Sequence, residues 1–163
     1  KLQTGGFTEF VPLPYVPMEA PMYLKGKSRR GPSFREAILM HSVSRIAFKG
    51  LINNIQTSWV KMGQEGVQAC LNAGANDIGG TLMNESITRA AGADHGQEWH
   101  PQGIEETIIS MGRKPKMRTT SYDEAPQSRR ELAFRASTLK QVENTAAAKL
   151  QRSKKLDNIA QVL

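Results

Sequence analysis

Short β-prone runs alternate with helix-patterned stretches along most of this chain, and the connections between the runs are too long for hairpins. That alternation predicts parallel strands joined by right-handed helical crossovers. The first run, Thr8 to Leu13, is stopped by the proline-rich PLPYVPMEAP, whose prolines cannot extend a ladder. Ser33 and Glu36 then form an S-x-x-E capping box ahead of apolar residues at Ile38, Leu39, Val43, Ile46 and Ala47, which recur at helical spacing. Gly50 suits a left-handed cap. The pattern repeats with a strand over Leu51 to Val60, a helix over Gln64 to Ala73 closed by Gly74, and a strand over Asn76 to Gly80. A short helix over Glu85 to Ala91, a longer one over Pro101 to Met111 and a fourth strand over Lys116 to Tyr122 complete four β/α units. The predicted fold class is α/β, with residues 1–122 as half of an eight-stranded barrel. Residues 123–163 are expected to form a helical or disordered extension, rich in helix formers and poor in large apolar residues. A half barrel leaves its first and last strands with open edges, which predicts instability, dimerisation or aggregation of the isolated unit.

Composition narrows the functional classes. The 163 residues are 39% hydrophobic and 23% charged, ordinary for a globular domain. The net charge of +7 raises nucleic acid as a partner, but the basic residues are dispersed. Neither the basic run Lys25 to Arg30 nor the mixed-sign tail after Asp123 is interleaved with aromatics as a base-stacking surface would be, so no nucleic-acid partner is expected. No apolar run approaches the roughly 20 residues of a membrane span, and Lys1 to Thr4 does not open a signal peptide. A cytoplasmic or organelle-interior location is therefore expected, with no membrane partner. Without an initiator Met, the sequence reads as a piece of something longer. Cys70 is the single cysteine, which excludes a disulfide and any cysteine cage for a metal within this chain. It is expected as a small core residue on a helix.

Strand parity selects candidate ligand-facing residues. If Ile78 faces outer helices, Asp77, Gly79 and Thr81 face the lumen. With Ile55 outward, Asn54, Gln56 and Ser58 share the inner face; Glu9 points inward from the first strand, and Arg118 and Thr120 from the fourth. Buried and unpaired, such polar groups would cost about 1–3 kcal/mol each, so a ligand, water or one another must satisfy them. A cross-strand hydrogen-bond layer is one alternative for Asn54, Gln56 and Ser58. A plain ion pair with Asp77 or Glu9 is another for Arg118. The segment Asn72 to Gln97 places Gly, Thr, Asn and Glu directly after a strand, as barrel enzymes lay out a ligand mouth. Gly79-Gly80 is not a dinucleotide fingerprint, and no Lys-Ser/Thr pair follows it. His95 and His100 have no neighbouring metal ligands in sequence, although His95 beside the mouth suits an acid or base. Trp59 is expected to pack, or to wall a pocket at its strand end.

The same residues carry a resemblance. The strings GFTEFVPLPYVPMEAPMYLKGKSRRGPSFREAILMHSVSRIA, NIQTSWVKMG, NDIGGTLMNESITRAAGADHGQ and KMRTTSY, in this order, resemble the C-terminal part of the tyrosine-dependent 4-hydroxyphenyl transferases of FO synthase. These are radical S-adenosylmethionine enzymes of deazaflavin (coenzyme F420) biosynthesis. The resemblance runs from about Thr4 to Tyr122 and is lost from Asp123. It implies S-adenosylmethionine and a [4Fe–4S] cluster as cofactors, and L-tyrosine and 5-amino-6-(D-ribitylamino)uracil as substrates. The 5′-deoxyadenosyl radical abstracts hydrogen from tyrosine, and a 4-hydroxybenzyl unit joins the aminouracil. The family's CxxxCxxC cluster motif is absent from this sequence, which implies a missing N-terminal half-barrel as partner and an inactive isolated fragment. On this resemblance Gln56 and Ser58 are expected to bind substrate or the adenosyl group. Thr81, Asn84 and Glu85 would bind at the mouth, and Arg118 would hold an amino-acid carboxylate. Two other classes stay open: a radical enzyme of futalosine-type menaquinone biosynthesis, and a non-enzymatic basic half-barrel that binds a protein partner.

Overall fold

Ser33 and Glu36 start the helix over Phe34–Ala47. Ser33 Oγ accepts from the Glu36 amide at 3.2 Å, and Glu36 Oε2 accepts from the Ser33 amide at 2.6 Å, so the capping box is complete. The computed structural model describes residues 6–82, 84–93 and 95–140. Its elements in order are β1 (Glu9–Phe10), α1 (Pro21–Leu24), α2 (Phe34–Ala47), β2 (Asn54–Thr57), α3 (Trp59–Asn72), β3 (Asp77–Ile78), α4 (Ile87–Ala90), α5 (Pro101–Ser110) and α6 (Gln127–Arg135). Three parallel strands form one sheet in the order β1-β2-β3, with Glu9 opposite Asn54 and Gln56 opposite Asp77. The chain is thus α/β with a small parallel sheet.

Parity is as read from the sequence. Ile55 and Thr57 are fully buried, and Ile78 packs on the helical core with Trp59, Val67, Cys70 and Leu71. Phe10 meets Phe48 just past α2, ring centroids 5.0 Å apart. The other face of the sheet carries Glu9, Asn54, Gln56 and Asp77. Cys70 is a core residue, as expected, and burial pushes its thiol pKa up.

Three expectations change. The first strand shrinks to Glu9–Phe10 because Pro12 and Pro14 cannot donate to a ladder. The second ends at Thr57, and α3 begins at Trp59, inside the stretch read as strand. Trp59 and Val60 are apolar in either geometry. The helix is broken at Gly63 (φ 65°, ψ 179°), a left-handed conformation that glycine adopts without cost, so the expected Gln64 helix is its second section. Lys116 to Tyr122 forms no ladder with β3 among the described residues. Instead it folds back on itself: Arg118 bridges antiparallel to Glu124, Thr119 N–H donates to Asp123, and Ala125 N–H donates to Met117. Pro115 lacks a donor at its start, Lys116 pairs with Glu124 at 3.1 Å, and Tyr122 turns the backbone at φ 68°. These local contacts outcompete a strand. Within the stretch expected as an extension, Gln127–Arg135 forms helix α6; residues 141–163 lie outside the described residues.

Candidate functional site

Three neighbouring strands deliver three inward side chains to one point. Gln56, on the central strand, donates through Nε2 to Glu9 Oε2 at 2.7 Å and to Asp77 Oδ2 at 3.0 Å. Register makes this possible, since Gln56 lies opposite Asp77 and one pleat beyond Asn54, the partner of Glu9. From the folded-back segment, Arg118 forks onto Asp77: Nε donates to Oδ1 at 2.8 Å and Nη2 to Oδ2, with Glu9 Oε2 3.6 Å away. The ion-pair alternative for Arg118 therefore describes its geometry, and its fork is occupied by a side chain.

Tyr122 completes the network, and strand reasoning missed it. Its hydroxyl lies 2.6 Å from Glu9 Oε2 and 2.9 Å from Asp77 Oδ2, and with one proton it donates to one carboxylate at a time. The Arg118 guanidinium lies over its ring, 4.0 Å from the centroid. Burial first, then the Glu9 and Asp77 carboxylates, push the Tyr122 pKa upward, so the phenol stays neutral. The hydrogen bond to Asp77 is the main reason the Arg118 pKa is raised. Two carboxylates against one guanidinium leave this inner face formally negative by one charge.

The remaining candidates divide between the network and local structure. Gly79 lies just above it: a methyl group there would come within 3.4 Å of Gln56 Oε1 and 3.8 Å of Trp59 Cδ1. Asn54 braces β1 by donating to Thr8 O at 2.8 Å. Ser58 precedes α3 without a side-chain capping bond. Asn84, at φ 57°, accepts from Arg89 at 3.4 Å. Glu85, one residue before the N-cap of α4, accepts from the Thr88 amide at 3.0 Å, so both residues serve their own loop. Thr81 lines a cavity of about 910 Å³ beside β3, together with Asp77, Gly79, Ile104, Arg118 and Thr119. His95 lies on the α3 break, where a side chain at Gly63 would meet its ring at 3.4 Å. Trp59 packs: it is buried, donates Nε1–H to Gly80 O at 3.0 Å, and meets Trp99 edge-on.

Comparison with known proteins places this geometry. A family model described as the CofH/MqnC C-terminal region matches residues 4–132. The chain belongs to this family. It is 52% identical over 120 residues to the 5-amino-6-(D-ribitylamino)uracil–L-tyrosine 4-hydroxyphenyl transferase of Methanocaldococcus jannaschii, a match covering 74% of this chain and 33% of that protein. The protein of the same name from Methanopyrus kandleri is also 52% identical over 120 residues, 74% of this chain and 32% of that one. The FO synthase of Mycobacterium leprae is 49% identical over 120 residues, again 74% of this chain but 14% of the relative. The chain thus spans a third or less of the length of these relatives. The family match runs past Tyr122, where the sequence resemblance was expected to stop, and takes in most of α6.

The side chains of this CofH/MqnC C-terminal region bear on the cofactors that the resemblance implies. An iron–sulfur cluster needs several accessible thiolates. This sequence has one thiol, enclosed in the core with a raised pKa, and no group of three or more His, Cys, Asp or Glu suits a metal among the described residues. The residues present do not fit a cluster. Nor is any helix among the described residues long and apolar enough to cross a membrane.

Proposed function

We propose that this chain forms the substrate-facing C-terminal wall of a radical S-adenosylmethionine transferase that joins the 4-hydroxybenzyl group of L-tyrosine to 5-amino-6-(D-ribitylamino)uracil. In this reading the three parallel units, with the Lys116 to Tyr122 segment as a fourth position, belong to half of a barrel. Residues 1–122 form the barrel portion and residues 123–163 the extension, and the cluster is held by residues outside this chain. The observation that carries the proposal is the inward Glu9–Gln56–Asp77 row, because barrel enzymes gather ligand contacts from the inner faces and C-terminal ends of successive strands. Its excess negative charge suits the ammonium group of an amino acid. Tyrosine and S-adenosylmethionine each carry one.

Gln56 can reach a ligand by exchanging one of its two carboxylate partners. Ser58, Gly79, Thr81, Asn84 and Glu85 follow toward the mouth. Arg118 is assigned to hold Asp77 in place rather than to bind a free carboxylate, since its fork is already engaged. The names of the relatives favour tyrosine and the aminouracil over a futalosine-type substrate.

The test is Gln56→Ala and Asp77→Asn in a full-length polypeptide carrying this region, with turnover and tyrosine KM measured. A loss of at least ~10-fold in kcat/KM is expected from each, the range of a lost charged hydrogen bond. Unchanged turnover and affinity in both variants would defeat the assignment. Turnover of a futalosine-type compound in place of tyrosine would transfer it to the other class.

A further inference from the structure

We propose that Tyr122 is a positioning residue that couples the two carboxylates of the inner face. Its one hydroxyl proton goes to Glu9 while that face is empty, and turns to Asp77 when the ammonium group of an amino acid engages Glu9. Glu9 is then the carboxylate that touches the ligand, and Asp77 the one that anchors the network. This rests on the amino-acid part of the reading above, not on the radical chemistry.

The two carboxylates differ in how far the protein already satisfies them. Asp77 takes the Arg118 fork on both oxygens and Gln56 Nε2 at 3.0 Å on one of them, so three donors remain to it without Tyr122. The Tyr122 proton brings it to the roughly four sites that a carboxylate offers. Glu9 takes Gln56 Nε2 at 2.7 Å and Tyr122 at 2.6 Å, both on Oε2, with the Arg118 guanidinium standing off at 3.6 Å. Its Oε1 accepts no hydrogen bond among the described residues. Exposure divides the pair the same way: the Glu9 side chain is 32% exposed and that of Asp77 12%. An ammonium group, with its three donors, therefore finds a charged acceptor at Glu9 and a filled one at Asp77.

Tyr122 is placed to serve either carboxylate. Its oxygen lies 2.6 Å from Glu9 Oε2 and 2.9 Å from Asp77 Oδ2, so turning the hydroxyl hydrogen moves the bond across without moving the ring. Arg118 lies over that ring, 4.0 Å from its centroid, and holds it there. In the empty site the shorter bond, to the less satisfied carboxylate, is favoured. Once an ammonium group sits on Oε1, turning the hydroxyl to Asp77 frees Oε2 for a second of its N–H groups.

This arrangement fixes a sign. Deleting the hydroxyl takes from the empty face one of the two hydrogen bonds that Glu9 has, and from the occupied face one of four at Asp77. The empty state loses more. The ligand then binds more tightly to a protein that is itself less stable, whereas loss of a hydroxyl that only braced the fold would leave binding unchanged or weaker.

The test is Tyr122→Phe, Glu9→Gln and the double variant in a full-length polypeptide carrying this region. Calorimetry gives Kd for L-tyrosine, for S-adenosylmethionine and for 3-(4-hydroxyphenyl)propionate, which keeps the phenol and carboxylate of tyrosine but has no ammonium group. Tyr122→Phe is expected to lower Kd at least ~3-fold for the amino acid that meets Glu9, and to leave the propionate unchanged. Glu9→Gln is expected to raise the same Kd at least ~10-fold and to abolish the Tyr122→Phe gain in the double variant. The amino acid that responds is the one whose ammonium group faces Glu9. A Kd at or above wild type for both amino acids in Tyr122→Phe overturns the coupling and leaves the amino-acid reading standing. So does a gain that survives in the double variant. If Glu9→Gln changes neither Kd and wild type binds the propionate as tightly as L-tyrosine, the amino-acid reading falls and the coupling with it.

Discussion

One face of the sheet is covered by polar side chains of a folded-back segment, whereas beside β1 no strand lies among the described residues and the neighbouring helix is apolar on its outer face. The folded-back segment reaches the polar face of the sheet without a ladder: Arg118 and Tyr122 take hold of Asp77 on β3, and Tyr122 also of Glu9 on β1. On the β1 side Leu39, Val43 and Ile46 stand in solvent. Polar closure is directional and needs few residues, so a short segment can provide it. Apolar closure scales with area, and here it needs a whole element.

The strand shared by both edges gives the largest effect. Ile55 is fully buried on β2 against the helices, and Ile55→Ala removes its packing and leaves a cavity. A loss of about 2–5 kcal/mol is expected from urea unfolding, with hydrogen exchange accelerated at β1 and β3 alike. Acceleration at one edge alone would mean that the two edges are separately stable.

Next comes the polar closure. Tyr122→Phe deletes the hydroxyl shared by Glu9 and Asp77 and should cost about 0.5–1.5 kcal/mol, one hydrogen bond with part of its acceptors still satisfied by Gln56 and Arg118. Its pH dependence has a definite sign. The Tyr122 pKa is raised in the folded protein by burial and by the two carboxylates. The folded state therefore holds this proton more tightly than the unfolded chain, and the stability it contributes is complete below the ordinary value of 10.0 and is lost as pH rises above it. The gap in urea midpoint between wild type and Tyr122→Phe should be constant below that value and change above it, the variant losing less. A gap that stays constant up to pH ~11 would remove Tyr122 from the closure.

These contrasts also explain what could be read in advance. The capping box, the inward set Glu9, Gln56 and Asp77 and the core role of Cys70 depend on local spacing or strand parity, which sequence carries directly. Trp59 and Val60 were assigned to a strand because bulky apolar residues fit either element, and the decision lies in Gly63 and in packing against Trp99. The fourth strand failed for a related reason: KMRTTSY has strand propensity, but the Glu124 contact and the turn at Tyr122 depend on tertiary partners. Tyr122 had one visible signal, a hydrogen-bonding aromatic four residues after an inward Arg. Its left-handed backbone leaves none, since tyrosine rarely adopts it. Asn84 and Glu85 were legible as a polar rim, but not as groups satisfied within their own loop.

The smallest expected effect concerns the contacts of α6 and the residues after it, which run past the family match. Arg130 pairs with Glu105 on α5 through both terminal nitrogens and lies over the Phe134 ring, 4.6 Å from its centroid. Beyond residue 132, Phe134 meets the His100 ring edge-on, and the Leu139 amide donates to Glu98 at 2.8 Å. His100 accepts from the Gln102 amide through Nδ1 and donates to Ala136 O at 3.0 Å through Nε2. One tautomer therefore serves both bonds. Arg130→Ala removes the member of this chain of contacts that ties α6 to α5. The global urea midpoint should fall only slightly, as expected for a half-buried ion pair, while the Leu139 amide exchanges faster and the His100 ring protons lose the ring-current displacement that Phe134 imposes. An unchanged Leu139 exchange rate would show that the segment after α6 holds its place on the rim without the Arg130 anchor, leaving the His100 and Glu98 contacts to account for it.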